Sequence, residues 1–235
     1  MYSIGIALGG TSCKVALITE SGQVLAEVRH PTVRGEPLSA VFGRLHEAAI
    51  RLAATRRLPY PPPGGIGVGV AGIVDPVSGR ANLSGVFGLG DCNLRTAAET
   101  SFGAHVTIES DSNAGALADL YWGQARLARD VLYVVWGTGI GAGLVFDRRI
   151  YRSRGHGMGE LGHIQVVGSR RRPCYCGCSG CLETEAGGRA IEEDVSRRLR
   201  RRVSCRDVGD RAAAGDAVCS QALERAARML ARGIA

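Results

Sequence analysis

Lysine is almost missing from this chain: of 29 basic residues, only Lys14 is not arginine. A choice so one-sided reflects coding bias more than a binding surface. The arginine clusters at Arg170 to Arg172 and in the RRLRRR run from Arg197 have no aromatic residues interleaved with them. Base stacking is therefore not indicated, and both read as a solvated loop and helix face. The formal charge of +7 suits a phosphorylated substrate equally well. Long apolar runs are also absent. The longest candidate, 131–146, is interrupted by four glycines and falls short of the roughly 20 residues a bilayer-spanning helix needs. No basic segment precedes the strand-like run after Met1, so no secretory signal is read and a cytoplasmic setting is expected. In that reducing setting Cys13, Cys92, Cys205 and Cys219 read as buried or free thiols. There is no Walker A sequence. The one G-x-G-x-x-G, at Gly67, Gly69 and Gly72, runs into Ile73-Val74-Asp75-Pro76, a turn where a dinucleotide fold requires a helix.

What is present is concentrated between Gly159 and Glu183. Cys174, Cys176, Cys178 and Cys181 lie within eight residues, and His163 stands eleven residues upstream of the first. Such an array offers four soft donors to a tetrahedral ion, and glycine turns let thiolates converge, so zinc is the natural occupant. The best set is His163, Cys174, Cys176 and Cys181, because Gly177 and Gly180 bracket Cys178 and aim its sulfur elsewhere. With four positions filled there is no place for a catalytic water, so the site reads as structural. A pair of disulfides is the alternative, but four cysteines so close together suit one ion better than two unstrained bridges. A zincin motif is excluded, since the position four before His163 is Gly159.

At 235 residues, 45% of them apolar, the chain can build two lobes. Tyr2 to Pro31 reads as three strands joined by a glycine turn and a polar turn. Leu38, Val41, Phe42, Leu45, Ala49 and Leu52 fall at helical spacing, and Pro61-Pro62-Pro63 closes that segment. A strand at Ile66 to Val70, a helix at Leu94 to Phe102, a strand at Val106 to Glu109 and a helix at Asn113 to Trp122 complete βββαβαβα. LYVVWGTGIGAGLVFDRRIYR begins a second such unit, with the cysteine segment inserted after it and helices expected at about Glu183 to Val203 and Asp216 to Gly233. The expected lobes are 1–122 and 123–235, both α/β, the second lacking its twin's later units and so read as truncated.

Gly9-Gly10-Thr11 and Gly137-Thr138-Gly139 occupy matching places in the two units. Glycine lets backbone N–H groups approach an anion and threonine adds a hydroxyl, so the pair suggests a bound phosphate chain; ordinary hairpin turns are the alternative. Asp111, between a strand and a helix, reads locally as the N-cap of a helix starting at Asn113. The duplication adds a second role, accepting the proton of an alcohol that attacks a γ-phosphate.

The motifs GGT at Gly9, VAGIVDP at Val70, ANLSG at Ala81, SDSNAGALAD at Ser110, GTGIGAG at Gly137, GELGH at Gly159 and CYCGCSGCLE resemble, in this order, those of the ROK family of bacterial sugar kinases and sugar-responsive repressors. The resemblance runs from about Tyr2 to the C-terminus. It implies a two-lobed actin-like, RNase H-like (hexokinase-type) ATPase fold, ATP with Mg²⁺ held at the glycine turns, and a hexose phosphorylated at a primary hydroxyl. By it Asp111 is the catalytic base, Asn82, Asn113, Glu160, His163 and Glu183 are sugar ligands, and zinc braces the sugar-facing loop through His163. A site of that kind can reject sugars lacking one hydroxyl. A homo-oligomer, dimer or tetramer, is implied as well. Three departures bear on activity: Ala7 stands where the family carries an aspartate near the metal-bound phosphates, Ser110 replaces an asparagine, and the chain ends before the family's glycine-rich adenosine segment. They keep two alternatives open, the sugar-binding domain of a repressor, whose DNA contact would need a separate module, and an inactive pseudokinase.

Overall fold

The computed structural model of the chain describes residues 1–83, 87–152, 159–167 and 172–235. Ser84 and Gly85 of the ANLSG motif, and Arg170 and Arg171 of the first arginine cluster, lie outside them. In chain order the elements are β1 (Tyr2–Leu8), β2 (Ser12–Thr19), β3 (Val24–Pro31), α1 (Leu38–Thr55), β4 (Ile66–Val70), β5 (Ile73–Asp75), β6 (Arg80–Leu83), β7 (Leu89–Asn93), α2 (Leu94–Phe102), β8 (Val106–Ser110) and α3 (Asp111–Trp122). They continue with β9 (Val131–Trp136), β10 (Ile140–Phe146), β11 (Arg149–Ile150), α4 (Leu182–Ala186), α5 (Gly188–Leu199), α6 (Cys205–Ala213) and α7 (Ala217–Ile234). Three sheets result, with strand orders β3-β2-β1-β4-β8, β5-β6-β7 and β11-β10-β9.

The chain divides into two compact units, one of Met1–Val131 with Leu144–Met158, the other of Leu132–Gly143 with Gly159–Ala235. In the first, β1 alternates strictly, burying Tyr2, Ile4, Ile6 and Leu8, and β2 buries Cys13, Val15 and Leu17. The period of two sends these side chains to one face. Helix α1 answers with Val41, Phe42, Leu45, Ala48 and Ala49, spaced to form one stripe. Phe42, fully buried, meets Phe102 of α2 edge-on with ring centroids 6.2 Å apart. Truncating Phe42 to alanine would cost about 3–5 kcal/mol.

Three local departures from the sequence reading have physical causes. Strand β5 was read as turn and β6 and β7 were not assigned; these strands of 3 to 5 residues are too short to display an alternation. A strand rather than a helix therefore follows Gly72, in keeping with the rejection of the dinucleotide motif. The expected single helix at Glu183 to Val203 is two, α4 and α5, divided at Gly187. A Cβ at Gly187 would stand 2.6 Å from the Glu183 carbonyl and one at Gly188 2.7 Å from that of Gly137, so close backbone packing breaks the helix there. Helix α6 was missed altogether, although Ser204 and Asp207 form a reciprocal capping box at its start, a signal legible in sequence.

The second unit's core is narrower: Ile140, Leu182, Ala186, Ile191, Val195, Val203, Val208, Cys219, Ala222 and Ala226. The RRLRRR run closes α5, where Arg197 pairs with Asp194 and Arg198 with Gln221, as a solvated helix face would. Among the described residues no helix is long and apolar enough to cross a membrane.

Candidate functional site

In the first unit the parallel register brings the chemistry-bearing residues to one sheet edge. Leu8 of β1 pairs with Val70 of β4, and Val70 with Ser110 of β8. The residues that follow these strand ends, Gly9-Gly10-Thr11, Ala71-Gly72 and Asp111, leave the sheet at its carboxyl edge, where open α/β sheets bind ligands. The first turn is closed by Gly9 N–H donating to the Ser12 carbonyl at 3.1 Å, and Thr32 Oγ1 donates to the Gly9 carbonyl at 2.6 Å. Ala7 is exposed one residue before the end of β1, opposite Lys14.

Asp111 is not the N-cap of α3. Ser110 holds that place, its Oγ accepting from Asn113 N–H at 3.3 Å, and Asp111 is the first helical residue. The capping duty falls to a neutral hydroxyl, which leaves the carboxylate open at the unit's surface. Enough protein surrounds it for desolvation to raise its pKa above the ordinary aspartate value, against the opposing pull of the Ser112 amide at 2.8 Å. Asn113 is buried and donates Nδ2–H to Glu109 Oε1 at 3.0 Å, while Glu109 Oε2 pairs with Arg152. Asn82 sits on β6, opposite Ile73. The Glu109–Arg152 support of Asn113 escaped the sequence reading, because Arg152 lies 43 residues away in sequence.

In the second unit the cysteine segment and the glycine turn converge on Glu183 and His163. His163 Nδ1, Cys174 Sγ, Cys176 Sγ and Cys181 Sγ lie within 4.8 Å of one another, the same four residues selected from spacing. Cys176 and Cys181 sulfurs are 3.6 Å apart and Cys174 Sγ is 3.4 Å from Nδ1. A zinc tetrahedron with bonds of about 2.3 Å separates its thiolates by about 3.8 Å, so the donors fit such an ion, whereas a disulfide needs about 2.05 Å. Positive φ at Gly177 and Gly180, +90° and +72°, makes the turns that allow this. Cys178 stays exposed and contributes its carbonyl to Cys174 N–H. Burial pushes Cys181 up to about 12; a bound cation reverses that preference by stabilising the thiolate.

His163's other nitrogen, Nε2, lies 2.9 Å from Tyr175 Oη and 3.7 Å from Glu160 Oε2. Tyr175 was not singled out from sequence, although its place between two cysteines of the cluster was a sufficient signal. Glu183 Oε2 accepts from the Ile140 N–H at 2.9 Å, and α5 grips the glycine turn through Gly188 N–H to the Gly137 carbonyl and Arg189 N–H to that of Thr138. Gly139 is required by Glu183: a Cβ there would stand 2.2 Å from its carboxylate. A Cβ at Gly10 or Gly137 would meet nothing within 4 Å, and neither residue has positive φ.

A mixed α/β fold with a glycine turn and a helix-start acid at the carboxyl edge of its first sheet is the actin-like fold of sugar kinases. The chain belongs to the ROK family, whose family model matches residues 3–235. Among solved structures it is similar to the ROK hexokinase of Thermus thermophilus, with a TM-score of 0.79 and 32% identity, covering 100% of this chain and 76% of that one. It is also similar to a ROK glucokinase of Streptomyces griseus in complex with glucose and AMPPNP, with a TM-score of 0.83, 25% identity and coverage of 100% and 78%. Its relatives include both kinases and repressors. It is 28% identical over 190 residues to a glucokinase of Halalkalibacterium halodurans, 81% of this chain and 58% of that protein. It is 31% identical over 243 residues to the N-acetylglucosamine repressor of Escherichia coli O157:H7, 100% of this chain and 59% of that protein. The chain spans 47% to 61% of the length of the first three curated relatives it matches.

Proposed function

We propose that the chain is the sugar-kinase portion of an ATP-dependent hexose kinase that phosphorylates a glucose-like sugar at a primary hydroxyl. The observation that carries this reading is the register of the first sheet, which sets Gly9-Gly10-Thr11 and Asp111 at one edge with the Asp111 carboxylate released from capping. In this scheme Asp111 accepts the proton of the sugar hydroxyl as its oxygen attacks the γ-phosphorus in line and ADP leaves. Asn82 and Asn113 in the first unit, and Glu160, His163 and Glu183 in the second, bind sugar hydroxyls. Asn113 has Oδ1 and its second Nδ2–H to offer, since the first is committed to Glu109. Gly9, Gly10 and Thr11, with Gly137, Thr138 and Gly139, lend N–H and hydroxyl donors to the phosphates. The Ile140 amide takes no part, being held by Glu183.

Zinc is the ion we assign to His163, Cys174, Cys176 and Cys181, where it closes the 163–181 loop and fixes His163 in the tautomer that carries its proton on Nε2. Magnesium bound with ATP would neutralise phosphate charge. The methyl group of Ala7 would offer it no ligand.

A second reading, the sugar-sensing domain of a repressor, is favoured by Ala7 itself, since binding without transfer needs no carboxylate there. A coupled ADP-release assay over a hexose panel, run beside calorimetry, separates the two. Turnover that Asp111→Asn abolishes supports the kinase. Hexose binding without turnover, with turnover appearing on Ala7→Asp, supports the sensor. No binding of any hexose sinks both.

A further inference from the structure

Tyr175 stands between two metal-ligating cysteines, and its ring meets the His163 imidazole edge-on, with centroids 4.9 Å apart and planes at 90°. Its hydroxyl lies 2.9 Å from His163 Nε2, and Glu160 Oε2 lies 3.7 Å from the same nitrogen. The imidazole's other nitrogen faces Cys174 Sγ within the cation cluster. A cation on Nδ1 forces the proton onto Nε2, which is then a donor only. A group resting between Nε2–H and the Glu160 carboxylate must accept from the first and donate to the second. A hydroxyl does both; a carbonyl or ether oxygen does one. The phenol of Tyr175 meets the first of these partners now, within hydrogen-bonding distance of Nε2, as a sugar hydroxyl would. The residue is nevertheless 76% exposed, so its ring is anchored chiefly at its tip, and turning it outward removes little apolar surface from cover.

We propose that Tyr175 is a substrate-selecting latch: its hydroxyl holds His163 Nε2–H in the free protein, and a hexose binds by substituting one of its own hydroxyls for the phenol. This rests on the sugar-binding role given above to His163 and Glu160. Every hexose then competes with a tethered hydroxyl, and only one that presents a hydroxyl at this point recovers the displaced hydrogen bond. A sugar deoxygenated there leaves a desolvated donor unpaired or leaves the latch closed.

The test is calorimetric titration of glucose, and of its monodeoxy series, into the full zinc-loaded chain as wild type, Tyr175→Phe and Tyr175→Ala, with metal content measured on each. The expected result is that Tyr175→Phe retains its metal and binds glucose about fivefold tighter, the equivalent of one net hydrogen bond released from competition. The gain disappears for the single deoxy analogue that lacks the substituting hydroxyl. A ring that served only as structure would produce weaker binding or lower metal content on removal, never tighter binding. Glucose affinity unchanged or weaker in Tyr175→Phe, with metal retained, overturns the latch while the sugar site stands. Tyr175→Ala guards against a fold defect specific to the phenylalanine: it must tighten binding too, and weaker binding by it at full metal content counts against the latch. Absence of glucose binding in all three forms overturns the sugar site itself, and the latch with it.

Discussion

The two glycine turns share a sequence pattern and a closing backbone bond, Gly9 N–H to the Ser12 carbonyl in one and Gly137 N–H to the Gly139 carbonyl in the other, but different groups hold them from outside. Gly9-Gly10-Thr11 stands at the edge of a five-stranded sheet whose core includes Phe42, Phe87 and Phe102, and Thr32 ties it, its Oγ1 donating to the Gly9 carbonyl and its N–H to that of Thr11. Gly137-Thr138-Gly139 is gripped from outside, by Glu183, Gly188 and Arg189, over a core of small aliphatic side chains. The first turn takes its outside support from Thr32, which follows β3. The second takes it from one carboxylate and two backbone bonds offered by α4 and α5, with a cation cluster immediately ahead of them in sequence. Geometry built on a few polar contacts is disturbed when any one of them is left unpaired. On the proposed reading the catalytic base lies in the first unit and the ligands beside the Cys/His cluster in the second, and that division can be broken experimentally.

The largest expected effect belongs to Asp111. Asp111→Asn keeps the Ser112 contact and the Ser110 cap but removes the base, so turnover should fall about 10³-fold, with hexose affinity and metal content unchanged. Calorimetry and the ADP-release assay on the same preparation check this, and loss of hexose binding in that variant would erase the division of labour. Next in size is removal of the cation. Chelation should weaken hexose affinity about 10- to 100-fold and accelerate amide exchange across 159–167 and 172–183, while β1, β4 and β8 keep their protection. Exchange that accelerates equally in both units would contradict the contrast.

A third comparison concerns glycines that look equivalent in sequence. Gly139→Ala must displace the Glu183 carboxylate from Ile140 N–H and should cost about 1–3 kcal/mol in chemical denaturation. Gly10→Ala meets nothing within 4 Å and should fall within about 0.5 kcal/mol of wild type, yet weaken AMPPNP binding if phosphates approach there. Equal stability losses would mean that both turns are held alike.

Much of this was legible in the residues, and what was missed has a common cause. The five strands of the first sheet, α1 and α2 announce themselves through period-two and period-3.6 burial, and the convergence of His163, Cys174, Cys176 and Cys181 through spacing alone, because turn glycines leave few ways for thiolates to meet. What escaped depended on distant partners. Gly187 divides a helix because the Gly137 turn packs against Gly188, which a local helical pattern cannot express. Glu109 owes its role to Arg152, and Gly139 owes its identity to Glu183. The capping of α3 was misjudged by one residue because serine and aspartate are comparable caps, and tertiary packing chose Ser110.

The smallest effect is a pH dependence carried by Asp111 alone. Desolvation raises its pKa in the folded chain, so the folded state binds this proton more tightly than the unfolded state, whose aspartates titrate near pH 3.9. The stability linked to that proton is fully present below the unfolded pKa and is lost as pH rises through the folded one. At neutral pH the ionised carboxylate therefore strains the fold slightly, and Asp111→Asn should melt higher than wild type, with the difference vanishing as acid protonates Asp111. The same shift acts on catalysis in the other direction, since the base works only when ionised, so the acid limb of kcat/KM should lie above the ordinary aspartate range. A melting difference between wild type and Asp111→Asn that persists unchanged in acid would show that the substitution acts through something other than this charge. A higher melting temperature together with lost turnover, both tracking one titration, would tie the strain and the chemistry to a single carboxylate in the first unit.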